Sequence, residues 1–287
     1  MGPAAAIRRH HPDAQITLLT SPALAALGRQ APYFDAVWVD DRPGWTRPWA
    51  LVRLARQLRA ACFDRVYDLQ TSDRSSLYFH LLWPERPEWS GIAAGSSHPH
   101  ANPDRDRMHT IDRQRDQLAM AGIASVPPPD LSWAPSGVAR FDLPQRFVLL
   151  APGGSKHRPE KRWPAGRYLR LASFLADRGL TPVLVGGADD AAAGVEIARD
   201  CPSARNLIGS TTLGDLVALG RSCVYAVGND TGPMHLIVAG GAAATVLYSS
   251  ASDPELTAPR GAHVTILRRA DLGDLPVEEV AATLPLR

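Results

Sequence analysis

Residues 224–250, VYAVGNDTGPMHLIVAGGAAATVLYSS, constrain the fold more than any other stretch of this chain. An apolar strand-like run (224–227) meets Gly228 and a polar turn of Asn229, Asp230 and Thr231. Gly232 and Pro233 then open a helix-length segment, and a second apolar run follows at 245–248. This order makes a βαβ unit, two parallel strands joined by a crossover helix. Pro233 marks the helix start, because its missing N–H has no intrahelical partner to lose there, and Thr231 or Gly232 can cap the turn. Free N–H groups and the positive end of the dipole make such a start attractive to phosphate, and Gly232 admits close backbone approach. His235, one turn in, faces the same end. Taken alone, the stretch equally suits an ordinary crossover helix with His235 satisfied in packing.

Strand-like runs alternate with helix-length segments almost from end to end, the pattern of doubly wound α/β sheets covered by helices on both faces. The first half predicts strands at 15–20, 36–39 and 65–69, and helices at 4–11, 22–29, 48–61, 75–83 and 110–121. A proline-rich connection at 126–135 interrupts the pattern. It resumes with strands at 147–150, 181–185, 206–208, 224–227, 245–248 and 263–267, and helices at 165–178, 190–200, 213–222, 234–239 and 277–284. Two Rossmann-like domains are expected, residues 1–134 and 135–287, with ligands held beyond the carboxyl ends of the strands in a cleft between them. No strand precedes the helix at 4–11, so the first strand of the amino-terminal domain is expected to be missing.

Composition narrows the function. The 287 residues are 45% apolar and 21% charged, and the formal net charge of +2 is too small for a nucleic-acid binder. No apolar run is long enough to span a bilayer and no secretory signal is read at Met1, which leads to a cytoplasmic expectation. Cys62, Cys201 and Cys223 lack metal or redox spacing and read as buried free thiols. Arg53, Arg56 and Arg59 recur on one side of a predicted helix. That side is either a solvated face or a contact for an anionic membrane or substrate.

The strand at 147–150 runs into a basic loop, where Ser155 is followed by Lys156, His157, Arg158, Lys161 and Arg162. Neither the P-loop nor the dinucleotide glycine fingerprint is present. A loop of this charge at a strand's carboxyl end, in one sheet with the 230–232 turn, points to a shared diphosphate site. Residues 68–75, DLQTSDRS, place Gln70 and Arg74 at the end of a first-half strand, although a helix cap by Ser72 or Asp73 explains the segment without function. Asp104 and Asp106 form a D-x-D pair in a polar loop. His98, His100 and His109 lack zinc-site spacing, and no metal is expected. Seven tryptophans are mostly assigned to packing, with Trp45 and Trp49 left open as a sugar platform.

Together, DLQTSDRS, APGGSK with KRWP, and NDTGPMH resemble glycosyltransferase family 9, the lipopolysaccharide heptosyltransferases and their relatives. The resemblance implies a GT-B fold with two Rossmann-like domains facing a cleft. It implies inverting, metal-independent transfer, without a cofactor, of a heptose or related sugar from an ADP-sugar donor. The acceptor would be a lipid A or lipopolysaccharide-core glycolipid, reached by peripheral contact with the cytoplasmic face of the inner membrane. Asp230, Thr231, Gly232, Pro233 and His235 would contact the donor, Lys161 would neutralise the leaving nucleotide, and Ser155 would lie near a phosphate. Asp189 would reach the ribose, and Gln70 and Arg74 would serve the acceptor. The family's general-base Asp belongs to an opening strand and loop that this sequence lacks, and no other residue inherits its role by position. A start assigned too late and a sugar-nucleotide-binding relative with impaired chemistry both fit that departure. A GT-B-shaped sugar-nucleotide epimerase is a further enzyme reading.

Overall fold

The computed structural model describes residues 1–42, 48–134, 137–154 and 157–285. Two compact units form, Met1–Pro129 and Asp130–Arg287. The expected boundary lay after residue 134. Arg221 donates to the carbonyls of Leu131 and Ala134 and so gathers this connection into the second unit.

The second unit holds one parallel six-stranded sheet in the order β11-β10-β9-β6-β7-β8. Its strands are β6 (Phe147–Ala151), β7 (Thr181–Leu184), β8 (Arg205–Asn206), β9 (Tyr225–Asn229), β10 (Ala244–Tyr248) and β11 (Val264–Arg268). Every residue of β6, β9 and β10 is buried, which is why these strands read as continuous apolar runs without alternation. Alternate side chains of β6 still part company. Val148 and Leu150 join a core with Trp163 and with Tyr168 and Leu171 of α6 (Ala165–Ala176), whereas Phe147, Leu149 and Ala151 join a core with Leu216 of α8 (Leu213–Ser222) and Met234 and Ile237 of α9 (Gly232–Ala239). Helices α7 (Ala191–Asp200), α10 (Pro254–Thr257) and α11 (Val277–Ala281) complete the unit.

The first unit carries two smaller parallel sheets. One pairs β1 (Thr17–Thr20) with β2 (Ala36–Val39), and the other has the order β3 (Arg65–Tyr67), β4 (Glu88–Gly91), β5 (His98–Pro99). Its helices are α1 (Gly2–His10), α2 (Pro22–Gln30), α3 (Pro48–Ala60), α4 (Asp73–Leu81) and α5 (Thr110–Met120). α1 leads directly into β1, and its Ala6 and Ile7 pack with Leu118 and Ile123. Strands β4 and β5 escape a periodicity reading because EWSG and HP carry no apolar alternation. Pairing makes them strands, as Val66 lies opposite Trp89 and buries it. The four-residue α10 is also absent from the expectations, being defined mainly by its Asp253 cap.

The cysteine expectation needs one correction, and the tryptophans and the Asp104–Asp106 pair can now be placed. Cys62 is exposed, because it sits at φ 47° in the turn that ends α3. Trp49 and Trp83 are 83% and 61% exposed and serve no core, while Trp45 lies outside the described residues. The Asp104–Asp106 segment turns as a short 3-10 helix, Arg105–Arg107, whose charges pair internally.

Candidate active site

Ala151 lies opposite Gly228, so the loops leaving the carboxyl ends of β6 and β9 meet. Asn229 joins them. Its fully buried side chain donates to the carbonyls of Pro152 and Gly153, both at 2.9 Å. Its Oδ1 accepts from the Trp163 N–H and the Tyr168 hydroxyl, both at 3.0 Å. A buried amide with four satisfied bonds fixes loop geometry in a way an exposed one cannot. Gly228 has no room for a side chain, since a Cβ there would stand 2.6 Å from Met234 Sδ and 2.7 Å from Ala151 Cβ. α9 therefore seats directly against the strand.

Asp230 follows immediately. Lys161, at the end of a 3-10 turn Pro159–Lys161, places Nζ 2.8 Å from Asp230 Oδ2, with both side chains largely shielded. Burial pushes the Asp230 carboxyl up. The Lys161 hydrogen bond and charge, helped by the nearby Ser252 and Tyr248 hydroxyls, outweigh it and hold the group below the usual carboxylate range. Burial, and then the Asp230 charge, push the Tyr248 phenol far above its ordinary value, so it stays a neutral donor.

Thr231 is the N-cap of α9 in extended conformation, yet its hydroxyl makes no capping bond. The atom is buried without a partner among the described residues. The first-turn N–H groups of α9 are thus not closed by the side chain that the sequence offered as a cap. A Cβ on Gly232 would meet no protein atom within 4 Å, so the glycine leaves the backbone open from outside rather than serving packing.

These groups converge. An open pocket of about 430 Å³ is lined by Arg158, Lys161, Asp230, Thr231, Gly232 and His235, with Ala251 to Asp253, Leu256 and Thr257 on the other wall. Pro233 stands beside it as the second helical residue. The arrangement offers a cation, a helix start with open donors, a hydroxyl and an acceptor carboxylate to one bound molecule. That is a set suited to an anionic group carrying hydroxyls.

The remaining sequence candidates fall elsewhere. Asp189 is exposed in a 3-10 turn and does not line the pocket. Its neighbour Asp190 instead accepts from Gly187 N–H at 3.0 Å and Gly154 N–H at 3.3 Å. A Cβ on Gly153 would collide with the Asp190 carboxylate. Ser155 lies outside the described residues. In the first unit, Gln70 Nε2 donates to Ser72 Oγ at 2.9 Å, and Arg74 donates to Tyr78 at 3.1 Å and reaches Asp40 at 3.5 Å. The Ser72 cap read from the sequence forms, as a capping box with Ser75. Sequence reasoning passed over Asn229, Asp190, Tyr248 and Ser252. Only the position of Asn229 at a strand end carried a signal.

Among the described residues no group of three or more His, Cys, Asp or Glu is placed to hold a metal ion. His100 bonds Asp116 at 2.8 Å, and His109 caps α5. No helix among the described residues is long and apolar enough to cross a membrane.

Comparison with known proteins gives these features a family. The family model for glycosyltransferase family 9 (heptosyltransferase) matches residues 51–282. Lipopolysaccharide heptosyltransferase 2 of Salmonella typhimurium is 31% identical over 238 residues, 75% of this chain and 68% of that protein. The Escherichia coli protein of the same name is 30% identical over the same shares. Two solved structures share the fold. E. coli ADP-heptose lipopolysaccharide heptosyltransferase II has a TM-score of 0.77 at 24% identity, covering 98% of this chain and 92% of that one. A family 9 glycosyl transferase from Veillonella parvula reaches 0.83 at 22%, covering 98% and 90%. The two α/β units thus adopt the fold of the GT-B heptosyltransferases, and the chain belongs to glycosyltransferase family 9.

Proposed function

We propose that this glycosyltransferase moves heptose, or a closely related sugar, from an ADP-linked donor to a lipopolysaccharide-core acceptor at the cytoplasmic face of the inner membrane. The transfer inverts the anomeric carbon and needs no metal ion. The observation that carries this reading is the Lys161–Asp230 pair at the uncapped start of α9. The donor diphosphate rests against the first-turn N–H groups of α9 and the Thr231 hydroxyl, within reach of Lys161 and Arg158. Asp230 only accepts hydrogen bonds, so it suits the hydroxyls of the sugar rather than the phosphates. As the acceptor oxygen bonds the anomeric carbon, the bond from that carbon to the diphosphate oxygen breaks and the hydroxyl proton leaves to a base or to solvent; this inverts configuration and leaves negative charge on the departing ADP, where preorganised cations and helix donors act most strongly. Gln70 and Arg74 contribute on the acceptor side, and Asp189 to the ribose.

Relatives supply the substrates of this proposal. An E. coli heptosyltransferase has been solved with ADP. Calorimetric titration with ADP is the test. A hydrogen bond to a charged group contributes about 1.5–3 kcal/mol, so Lys161→Ala should weaken ADP binding roughly 10- to 150-fold. Asp230→Ala should chiefly abolish ADP release in the presence of ADP-heptose and core acceptor. ADP affinity unchanged in Lys161→Ala removes the proposed phosphate site.

A further inference from the structure

Helix α3 turns Leu54, Ala55 and Leu58 inward and contains no acidic residue. Helical spacing puts residues 49, 52, 53, 56 and 60 on the opposite stripe. All five are exposed, Trp49 by 83% and Val52 by 41%. Among the described residues neither Arg53 nor Arg56 makes an ion pair, so this face offers cations beside bare apolar surface. Arg53 also borders a small hollow with Asp40 and Asp41, but Asp40 is taken up by Tyr78 and Arg74. At the other end of α3, Arg59 donates to the Leu81 carbonyl at 2.7 Å. That bond brings the turn after α4 alongside. The turn carries Trp83, 61% exposed, with the Arg86 guanidinium 5.1 Å from its ring centre.

An indole that is four-fifths exposed loses the benefit of burial unless something covers it. What covers this one must accept an aromatic ring and arginines on the same face and supply negative charge. The headgroup boundary of an anionic bilayer does so: indole rings sit at that level, and arginine stems lie along the apolar side while their heads bond lipid phosphates. We infer that the outer face of α3 docks the protein on an anionic phospholipid surface, with Trp49 at the acyl boundary and Arg53 and Arg56 on lipid phosphates. The tryptophan and arginine of the turn after α4 flank this contact.

The inference deepens the membrane-side placement proposed above by naming the docking face, and vesicles without glycolipid separate its failure from that of the sugar reading. The full chain is floated with phosphatidylcholine vesicles, with and without phosphatidylglycerol. Binding is expected only where phosphatidylglycerol is present, and it should weaken as salt rises. At about fivefold per basic residue near such a surface, Arg53→Gln with Arg56→Gln should lower partitioning roughly 25-fold while ADP affinity stays as in the parent. Trp49→Ala should lower it several-fold and leave the salt dependence intact. Absence of binding at low salt, equal binding to neutral vesicles, or undiminished binding of the double variant each overturns the inference. The first of these would point to an acidic protein as the partner.

Discussion

Two carboxylates close two parallel strands, Asp68 after β3 in the first unit and Asp230 after β9 in the second. Both are shielded from water and both sit where α/β sheets place their chemistry. Asp68 Oδ1 accepts from the N–H groups of Gln70 at 3.1 Å and Thr71 at 3.0 Å, and among the described residues no cation pairs with it. Burial dominates there and raises its carboxyl above the usual range. Asp230 is raised by burial too, but Lys161 reverses the balance and holds it low. Topology supplies the position, and a single neighbour decides what the group is. The surroundings differ in the same sense. Asp230 hangs from a fully buried strand in a six-stranded sheet, whereas β3 is half-buried in a three-stranded one.

The largest effect that would break this comparison is expected at Asn229. Asn229→Ala orphans the Trp163 backbone N–H and the carbonyls of Pro152 and Gly153, and leaves the Tyr168 hydroxyl only its bond to the Ala151 carbonyl. At about 1–3 kcal/mol for each unsatisfied buried group, urea denaturation should show a loss on the order of 4 kcal/mol. A loss below about 1 kcal/mol would mean that the two loops hold each other without it.

Lys161→Met comes next, removing the cation and leaving the carboxylate. Breaking a shielded pair on one side costs about 2–4 kcal/mol near pH 7. The pH profile carries the sign. Asp230 is depressed in the folded parent, so its contribution is present above the unfolded carboxylate pKa and is lost as pH falls through the lower folded value. In Lys161→Met burial is opposed only by the Ser252 and Tyr248 hydroxyls, the folded pKa rises, and acidification should relieve the penalty instead. Parallel pH profiles for the two proteins would refute the role given to Lys161.

Gly228→Ala should cost about 1–3 kcal/mol through overpacking against Met234 and Ala151, read as a lower melting temperature. The smallest change is expected in the first unit. Asp68→Asn keeps an acceptor for Gln70 and Thr71 and removes a charge that burial disfavours, so stability at pH 7 should move by less than about 1 kcal/mol. Because the Asp68 carboxyl is raised when folded, its contribution is full below the unfolded pKa and declines as pH rises through the folded one. The variant should flatten that stretch of the profile. A large loss at pH 7 would show that Asp68 has a partner resembling that of Asp230.

The second unit was the more legible. β6, β9 and β10 are buried on both faces and announce themselves as unbroken apolar runs, and Pro233 announces α9. β4 and β5 went unread because their strand character comes from pairing with β3, not from their own residues. At the site, Lys161, Asp230, Thr231, Gly232 and His235 were all read from the sequence, and the pocket brings them together. Asp189 was read as a site candidate, and Asp190 beside it was not. In sequence the two differ by one position; in the fold one faces outward and the other ties down Gly154 and Gly187.

The sequence alone determined the α/β alternation and the residue types at the strand ends, because hydrophobic period, proline and glycine act through local sterics that need no knowledge of the rest of the chain, and its motifs carried the resemblance to the family. The tertiary structure decided the pairing of Lys161 with Asp230 across 69 residues, the burial that makes Asn229 a staple, and the exposure of Trp49. A charge, an amide or an indole has no fixed character of its own. Its protonation, worth and accessibility follow from what the folded chain sets beside it.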